Sequence, residues 1–213
     1  MNLRPRKQHL LRWLPDRVIQ TLGSTTADAR YLTFDDGPDP DHTPRLLDLL
    51  AAHGAHASFF LVGHKVEQHP ALVERMVAEG HMIANHSYSH WSFKPMSLQK
   101  QLDEFHRTDA LLHTFDGQPH HRWRTPQGYL DTRLLLYCAS HNRTIVYWSY
   151  DSLDYQKPAT DAFVVRLRHE PPRAGDIVLM HDDSALITDA LAVLLPEWQA
   201  QGHRFIALPR TGP

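Results

Sequence analysis

Short apolar runs alternate along the chain with segments whose apolar residues recur every three or four positions, the pattern of strands followed by helices. Tyr31–Phe34 reads as a strand. Thr43 and Pro44 then open a helix, with Thr as N-cap and Pro in the first turn. It runs over Arg45–His53 and stops at Gly54, a position suited to the left-handed conformation. Ala57–Val62 is a strand of the fully buried kind, Pro70–Glu79 a helix ended by Gly80, and His81–Ala84 another short strand. Leu98, Leu102, Phe105 and Leu112 share one face of a longer helix over 97–115.

The second half repeats the alternation. Arg122–Arg124 is strand-like, 131–140 helical, Thr144–Ser149 a strand and 161–168 helical; strand Asp176–Met180, a helix over 188–201 and strand Arg204–Ala207 complete the series. Seven strands separated by helices, with short connections and no low-complexity tract, predict a largely parallel sheet. The expected fold is α/β, a single distorted (β/α)7 barrel whose site lies at the C-terminal ends of the strands. Residues 30–209 would form that domain, residues 1–29 a basic extension, helical and packed on the barrel, and residues 210–213 a tail.

Composition narrows the function. At 213 residues, 42 % hydrophobic and 22 % charged, the chain is long and apolar enough for one full core, and it is neither disordered nor collagen-like. With 22 basic against 24 acidic residues it has no cationic field to attract nucleic acid. One cysteine, Cys138, excludes an intrachain disulfide and every Cys-rich zinc motif. No apolar run reaches the roughly 18 residues of a membrane span. In residues 1–20 the apolar positions are interrupted at Arg12, Pro15 and Asp16, so the core of a secretory signal peptide is missing. A cytoplasmic location is expected. Arg4, Arg6, Lys7, Arg12 and Arg17 stand there against Asp16, with Leu11, Leu14 and Val18 on one helical face. Two readings follow: peripheral contact with anionic lipid at the inner membrane face, or apolar residues packed on the barrel's outside. The 17 histidines direct attention to metal and acid–base chemistry.

Five polar clusters follow predicted strands: Asp35-Asp36, His86 with His90, Arg124 to Gly128, Asp151 with Asp154, and His181-Asp182-Asp183. In a parallel barrel all of them converge on one face. His86 and His90, four apart, can meet one ion from a helical turn or a tight loop, and Asp36 can complete two nitrogens and a carboxylate. Zinc, cobalt, nickel and iron(II) suit that set, and availability favours zinc. The alternatives are two histidines spaced by chance and a solvated Asp-Asp turn before Gly37-Pro38. Arg124 can orient a carboxylate or make a rim ion pair. His181, after an apolar strand, can be a general acid held by Asp154 or a plain rim residue.

Taken in order, Thr33-Phe34-Asp35-Asp36-Gly37-Pro38, His86-Ser-Tyr-Ser-His90, Arg124-Thr-Pro-Gln-Gly128, Asp151-Ser-Leu-Asp154-Tyr155 and Leu179-Met-His181-Asp182 resemble the five motifs of polysaccharide deacetylases, carbohydrate esterase family 4 or the NodB-homology domain. The resemblance covers about residues 30–209. It implies that Asp35 is the catalytic base, that Asp36, His86 and His90 hold one divalent ion, most simply Zn2+ (with Co2+ or Ni2+ as alternatives), and that Arg124 positions the base. It further implies an oxyanion contact from the Gln127 backbone N–H, His181 as the acid tuned by Asp154, and Tyr155 and Leu179 as walls of the acetyl pocket. Family members often carry an aromatic at 127 and Trp at 155, so Gln127 and Tyr155 leave substrate choice open. The implied reaction removes the N-acetyl group from an N-acetylhexosamine of a glycan or lipid-linked saccharide, giving a free amino sugar and acetate. Rival readings are a deformylase or other non-peptide amide hydrolase, a non-catalytic glycan-binding relative, and a two-His, one-carboxylate iron oxygenase, whose usual antiparallel fold disagrees with this alternation.

Overall fold

The computed structural model describes residues 3–5, 7–25 and 28–210. At its centre lies β2 (Ala29–Asp35), every residue of which is buried. On one side β2 pairs with β3 (Ser58–Leu61), and β3 with β4 (Met82–Asn85). On the other it pairs with β7 (Ile177–His181), and β7 with β6 (Tyr150–Asp151). These ladders are all parallel. Single bridges Asn85–Trp123 and Trp123–Ile145 carry the sheet from β4 to β5 (Ile145–Val146), which pairs in parallel with β1 (Ile19–Gln20). An antiparallel bridge from Leu22 to Asp176 returns to the foot of β7, so the sheet curls round as a distorted barrel. β8 (Arg204–Phe205) joins the start of β2. This is the α/β barrel that the alternation predicts.

Parallel neighbours need long crossovers, and here helices supply them. After α1 (Lys7–Leu11), which precedes β1, they are in chain order α2 (Thr43–Ala52), α3 (Gly63–Gln68), α4 (Pro70–Ala78), α5 (Leu98–Asp116), α6 (Thr132–Ser140), α7 (Thr160–His169) and α8 (Ala185–Ala200). Strand side chains alternate between two packed layers. Leu32, Phe34, Phe59, Leu61, Val178 and Met180 pack with Leu46, Leu50, Leu191 and Leu194 of α2 and α8. The intervening Tyr31, Phe60, Met82, Ala84, Ile177 and Leu179 belong to the second cluster, on the barrel's inner side. By the same parity Asp35 and His181 end inward-facing rows, and they are register partners. The polar residues at the strand ends therefore share one mouth.

Several elements differ from expectation. The strand expected at Thr144–Ser149 is only β5, and β6 follows it after a corner, because β5 pairs toward Trp123 and β6 toward β7. The strand at Arg122–Arg124 shrinks to the bridged Trp123. The Thr43 hydroxyl does not cap α2; it accepts from the Asp39 N–H at 2.8 Å and donates to Asp182 at 2.5 Å. α8 starts at Ala185, one turn before Thr188. Among the described residues of the N-terminal segment only Lys7–Leu11 is α-helical, and Ile19–Gln20 is a strand of the barrel itself. Leu11 and Val18 pack into the core, whereas Leu14 is exposed. Arg6 and residues 211–213 of the expected tail lie outside the described residues. Among the described residues no helix is long and apolar enough to cross a membrane.

Candidate active site

β2 delivers Asp35 to the mouth with its side chain almost wholly buried. Arg124 Nη1 donates to Asp35 Oδ1 at 2.6 Å and to the Thr33 hydroxyl at 2.8 Å, and Nε donates to the Val146 carbonyl at 3.2 Å. The guanidinium lies 3.8 Å over the Phe60 ring, itself buried. A buried ion pair needs further hydrogen bonds to be tolerated; here Thr33 and Val146 supply them to Arg124, whose Nη2 stays without a partner among the described residues. Asp35 is thereby held in one orientation.

One residue on, the chain turns through a left-handed Asp36 (φ 74°). The segment after β4 is a loop rather than a helical turn, with Ser87 (φ 67°) and His90 (φ 59°) also left-handed. Side chains hold this uncommon path. Asn85 Oδ1 accepts from the Ser87 N–H at 2.9 Å, Ser87 Oγ from the His90 N–H at 3.1 Å, and Glu104 of α5 from the Ser89 N–H and hydroxyl at 2.7 and 2.8 Å. His86 Nδ1 sits 2.9 Å from the Arg124 carbonyl. Facing a carbonyl it must carry the proton, which leaves the Nε2 lone pair toward Asp36.

Asp36 Oδ1 lies 3.4 Å from His86 Nε2 and 3.1 Å from His90 Nε2, yet it is buried with no hydrogen-bond partner. A carboxylate oxygen facing imidazole lone pairs is a set of acceptors without a donor, and a cation between them resolves it. One ligand atom from each of the three residues falls within 4.8 Å of the others. Two imidazoles and a carboxylate with open positions suit a divalent ion of the zinc type. Burial pushes the Asp36 carboxyl up, but the nearby imidazoles of His86, then His90 and His181, hold it below the usual carboxylate range. Burial, then His86, depresses His90. Both shifts favour the protonation states that ligate.

The opposite wall is built from β7 and the turn after β6. His181 Nδ1–H donates to Asp154 Oδ1 at 3.0 Å, and the His181 backbone N–H to Asp154 Oδ2 at 2.8 Å. Ser152 Oγ donates to the same carboxylate at 2.8 Å. Burial opposes charge on His181, but the hydrogen bond and charge of Asp154 push the imidazole up to about 10. With Nδ1 committed, Nε2–H is the proton left for the cavity.

The cavity between these walls has a volume of about 360 Å³. Of the residues predicted from sequence, Asp35, Asp36, His86, His90, Gln127, Tyr155, Leu179 and His181 line it, while Arg124 and Asp154 stand behind Asp35 and His181. Gln127 adopts φ 56°. Gly128 and Asp151, which the sequence placed in the converging clusters without a role, also line it, and Trp148 is a lining group that sequence reasoning missed. Trp148 Nε1 donates to Asp151 Oδ2 at 3.2 Å, and burial raises the Asp151 carboxyl. Gly128 is required: at φ 62°, a Cβ there would come within 2.5 Å of the Trp148 ring. The one available signal for Trp148 was its closeness to the fourth motif, which begins at Asp151.

The sequence profile of the polysaccharide deacetylase family matches residues 23–146. Two peptidoglycan-N-acetylglucosamine deacetylases of Bacillus cereus are similar: one is 33 % identical over 84 % of this chain and 66 % of its own length, the other 34 % over 83 % and 84 %. This chain thus spans just under two thirds of the first. A chitooligosaccharide deacetylase of Sinorhizobium fredii is 34 % identical over 87 % of this chain and 93 % of its own. Among solved structures, a peptidoglycan N-acetylglucosamine deacetylase in complex with an N-hydroxybenzamide compound superposes with TM-score 0.84 at 30 % identity, covering 90 % of this chain and 91 % of that one. A family 4 carbohydrate esterase of Streptomyces lividans bound to acetate gives 0.76 at 30 %, covering 84 % and 91 %. A pseudoenzyme from Bacillus anthracis shares the fold at TM-score 0.79 and 23 % identity, so the fold alone does not decide activity.

Proposed function

The chain belongs to the polysaccharide deacetylase family, and on that premise we propose that it is a metal-dependent hydrolase removing the N-acetyl group from an N-acetylhexosamine unit of a glycan. The observation that carries this reading is the convergence on one cavity of a buried, oriented carboxylate, a donor-free Asp–His–His set and a charged imidazole. A non-catalytic glycan-binding relative would have no need of all three. The names of the relatives support peptidoglycan and chitooligosaccharides as substrate classes. We take the catalytic unit as residues 30–209 enlarged by β1, since Ile19–Gln20 joins the same sheet.

Asp36, His86 and His90 would hold the ion, zinc first by ligand type. Such an ion supplies Lewis acidity and lowers the pKa of water. Asp35, fixed by Arg124, takes the proton of the attacking water as its oxygen bonds the acetyl carbon. The Gln127 backbone N–H would meet the oxyanion. His181 gives the Nε2 proton to the sugar nitrogen as the C–N bond breaks, because an alkyl amine leaves only when protonated. Tyr155 and Leu179, with Trp148, would enclose the methyl group.

The test is acetate release from chitooligosaccharides, peptidoglycan fragments and lipid-linked N-acetylhexosamines, with N-formyl analogues alongside, before and after chelation. Release from at least one N-acetylated glycan, lost on chelation and restored by zinc, cobalt or nickel, is the expected result. Chelator-insensitive release, or hydrolysis confined to formyl substrates, would overturn it.

A further inference from the structure

Two of the most exposed large apolar residues, Leu10 (74 % exposed) and Trp13 (88 %), fall within five positions together with the less exposed Leu14 (36 %). Elsewhere Leu136, Val165 and Val193 are exposed singly, which is ordinary. Lys7, Arg12 and Arg17 on the same short segment are exposed, and none has a carboxylate partner among the described residues. Asp16 is its one acid.

The position of this segment on the barrel is set by hydrogen bonds. β1 runs parallel to β5, the Thr144 hydroxyl donates to the Arg17 carbonyl at 2.9 Å, and the Ile145 N–H to the Val18 carbonyl at 2.9 Å. Arg4 is held by Asp176 at the foot of β7. Residues 7–17 therefore precede the amino ends of the strands, at the end opposite the mouth. Exposed Arg173, Arg204 and Arg210 lie at that end too, while the acids Asp28, Glu79, Asp116, Glu170 and Asp176 there are within ion-pair distance of Arg30, Arg75, His121 and Arg4.

We propose that the loop Lys7–Arg17 is a docking surface for an anionic lipid bilayer, which seats the barrel with its mouth turned away from the membrane. Trp and Leu residues flanked by unpaired cations are the composition of an interfacial anchor, and their charge complements acidic headgroups. The placement does not depend on the deacetylase reading, because none of these residues lines the catalytic cavity.

Two tryptophans make the orientation measurable. Trp13 marks the basal end; Trp91, 73 % exposed and next to His90, marks the mouth; the other three are buried. The full chain is mixed at low salt with vesicles of phosphatidylcholine containing phosphatidylglycerol, part of it brominated. Binding is expected to anionic vesicles and not to phosphatidylcholine alone. Leu10→Ser with Trp13→Ser should weaken it by about ten-fold or more, and Arg12→Gln with Arg17→Gln by roughly 20- to 30-fold, near five-fold per cation. Bromine quenching should persist in Trp91→Phe and vanish in Trp13→Phe, with acetate release from a soluble chitooligosaccharide unchanged in both. Equal, negligible binding by all variants would overturn the proposal. So would self-association of the chain through Trp13 without lipid binding. Quenching lost in Trp91→Phe instead would overturn the orientation.

Discussion

The carboxylate of Asp35 accepts a 2.6 Å hydrogen bond from Arg124, whereas that of Asp36, its immediate neighbour, keeps a buried oxygen with no donor. The histidines divide the same way. His181 is locked to Asp154 and carries charge, while His86 and His90 turn acceptor atoms on a common point. One part of the cavity wall, Asp35 with His181, has its charges paired within the protein; the other, Asp36 with His86 and His90, has left them open. A buried polar group without a partner costs about 1–3 kcal/mol, so an open set persists where something outside the chain completes it. The completed wall moves protons, and the open wall holds a ligand.

The hardest test of that division is Asp36→Ala or His86→Ala. Each should lose the divalent ion with the fold kept, and turnover should fall by roughly 10³-fold or more, the several kcal/mol of Lewis-acid help. Elemental content with circular dichroism measures this; full metal occupancy in both variants would break the comparison. On the completed wall, Asp35→Asn should keep the ion while turnover falls by roughly 10²–10⁴-fold, the range for losing a general base. Near-normal turnover would move the base role to another carboxylate. A smaller and more specific effect is expected from Asp154→Asn. His181 acts when protonated, so activity falls as pH rises through its pKa, and Asp154 is what lifts that pKa toward about 10. Removing the anion disfavours the imidazolium, and the alkaline limb of the pH–rate profile should move to lower pH. An unmoved limb would show that Asp154 only orients the ring.

β2, β3, β4 and β7 were legible because unbroken apolar runs mark fully buried parallel strands, and α5 because its apolar stripe keeps a helical period over 19 residues. β1 was not, since a two-residue strand leaves no local pattern and its partner Ile145 lies far along the chain. The corner between β5 and β6 hid Trp148 for a similar reason: an aromatic run reads as one strand whether or not it turns. The candidate site was legible in its residue types. Its geometry was less so, because the left-handed Asp36, Ser87 and His90 are positions that glycine usually marks, and their path is held by Asn85 and Glu104 from other elements.

A barrel docked by its basal loop becomes a pedestal. The seven residues of β2 alone span about 23 Å at the usual rise per residue, and the mouth lies beyond their far end. At that height an acetamido group on a sugar tethered to the same leaflet is out of reach, while a strand of polymer passing overhead is not. Altitude above the lipid would then sort substrates before any contact in the cavity does, and release from the membrane would widen the choice without changing one residue of the site.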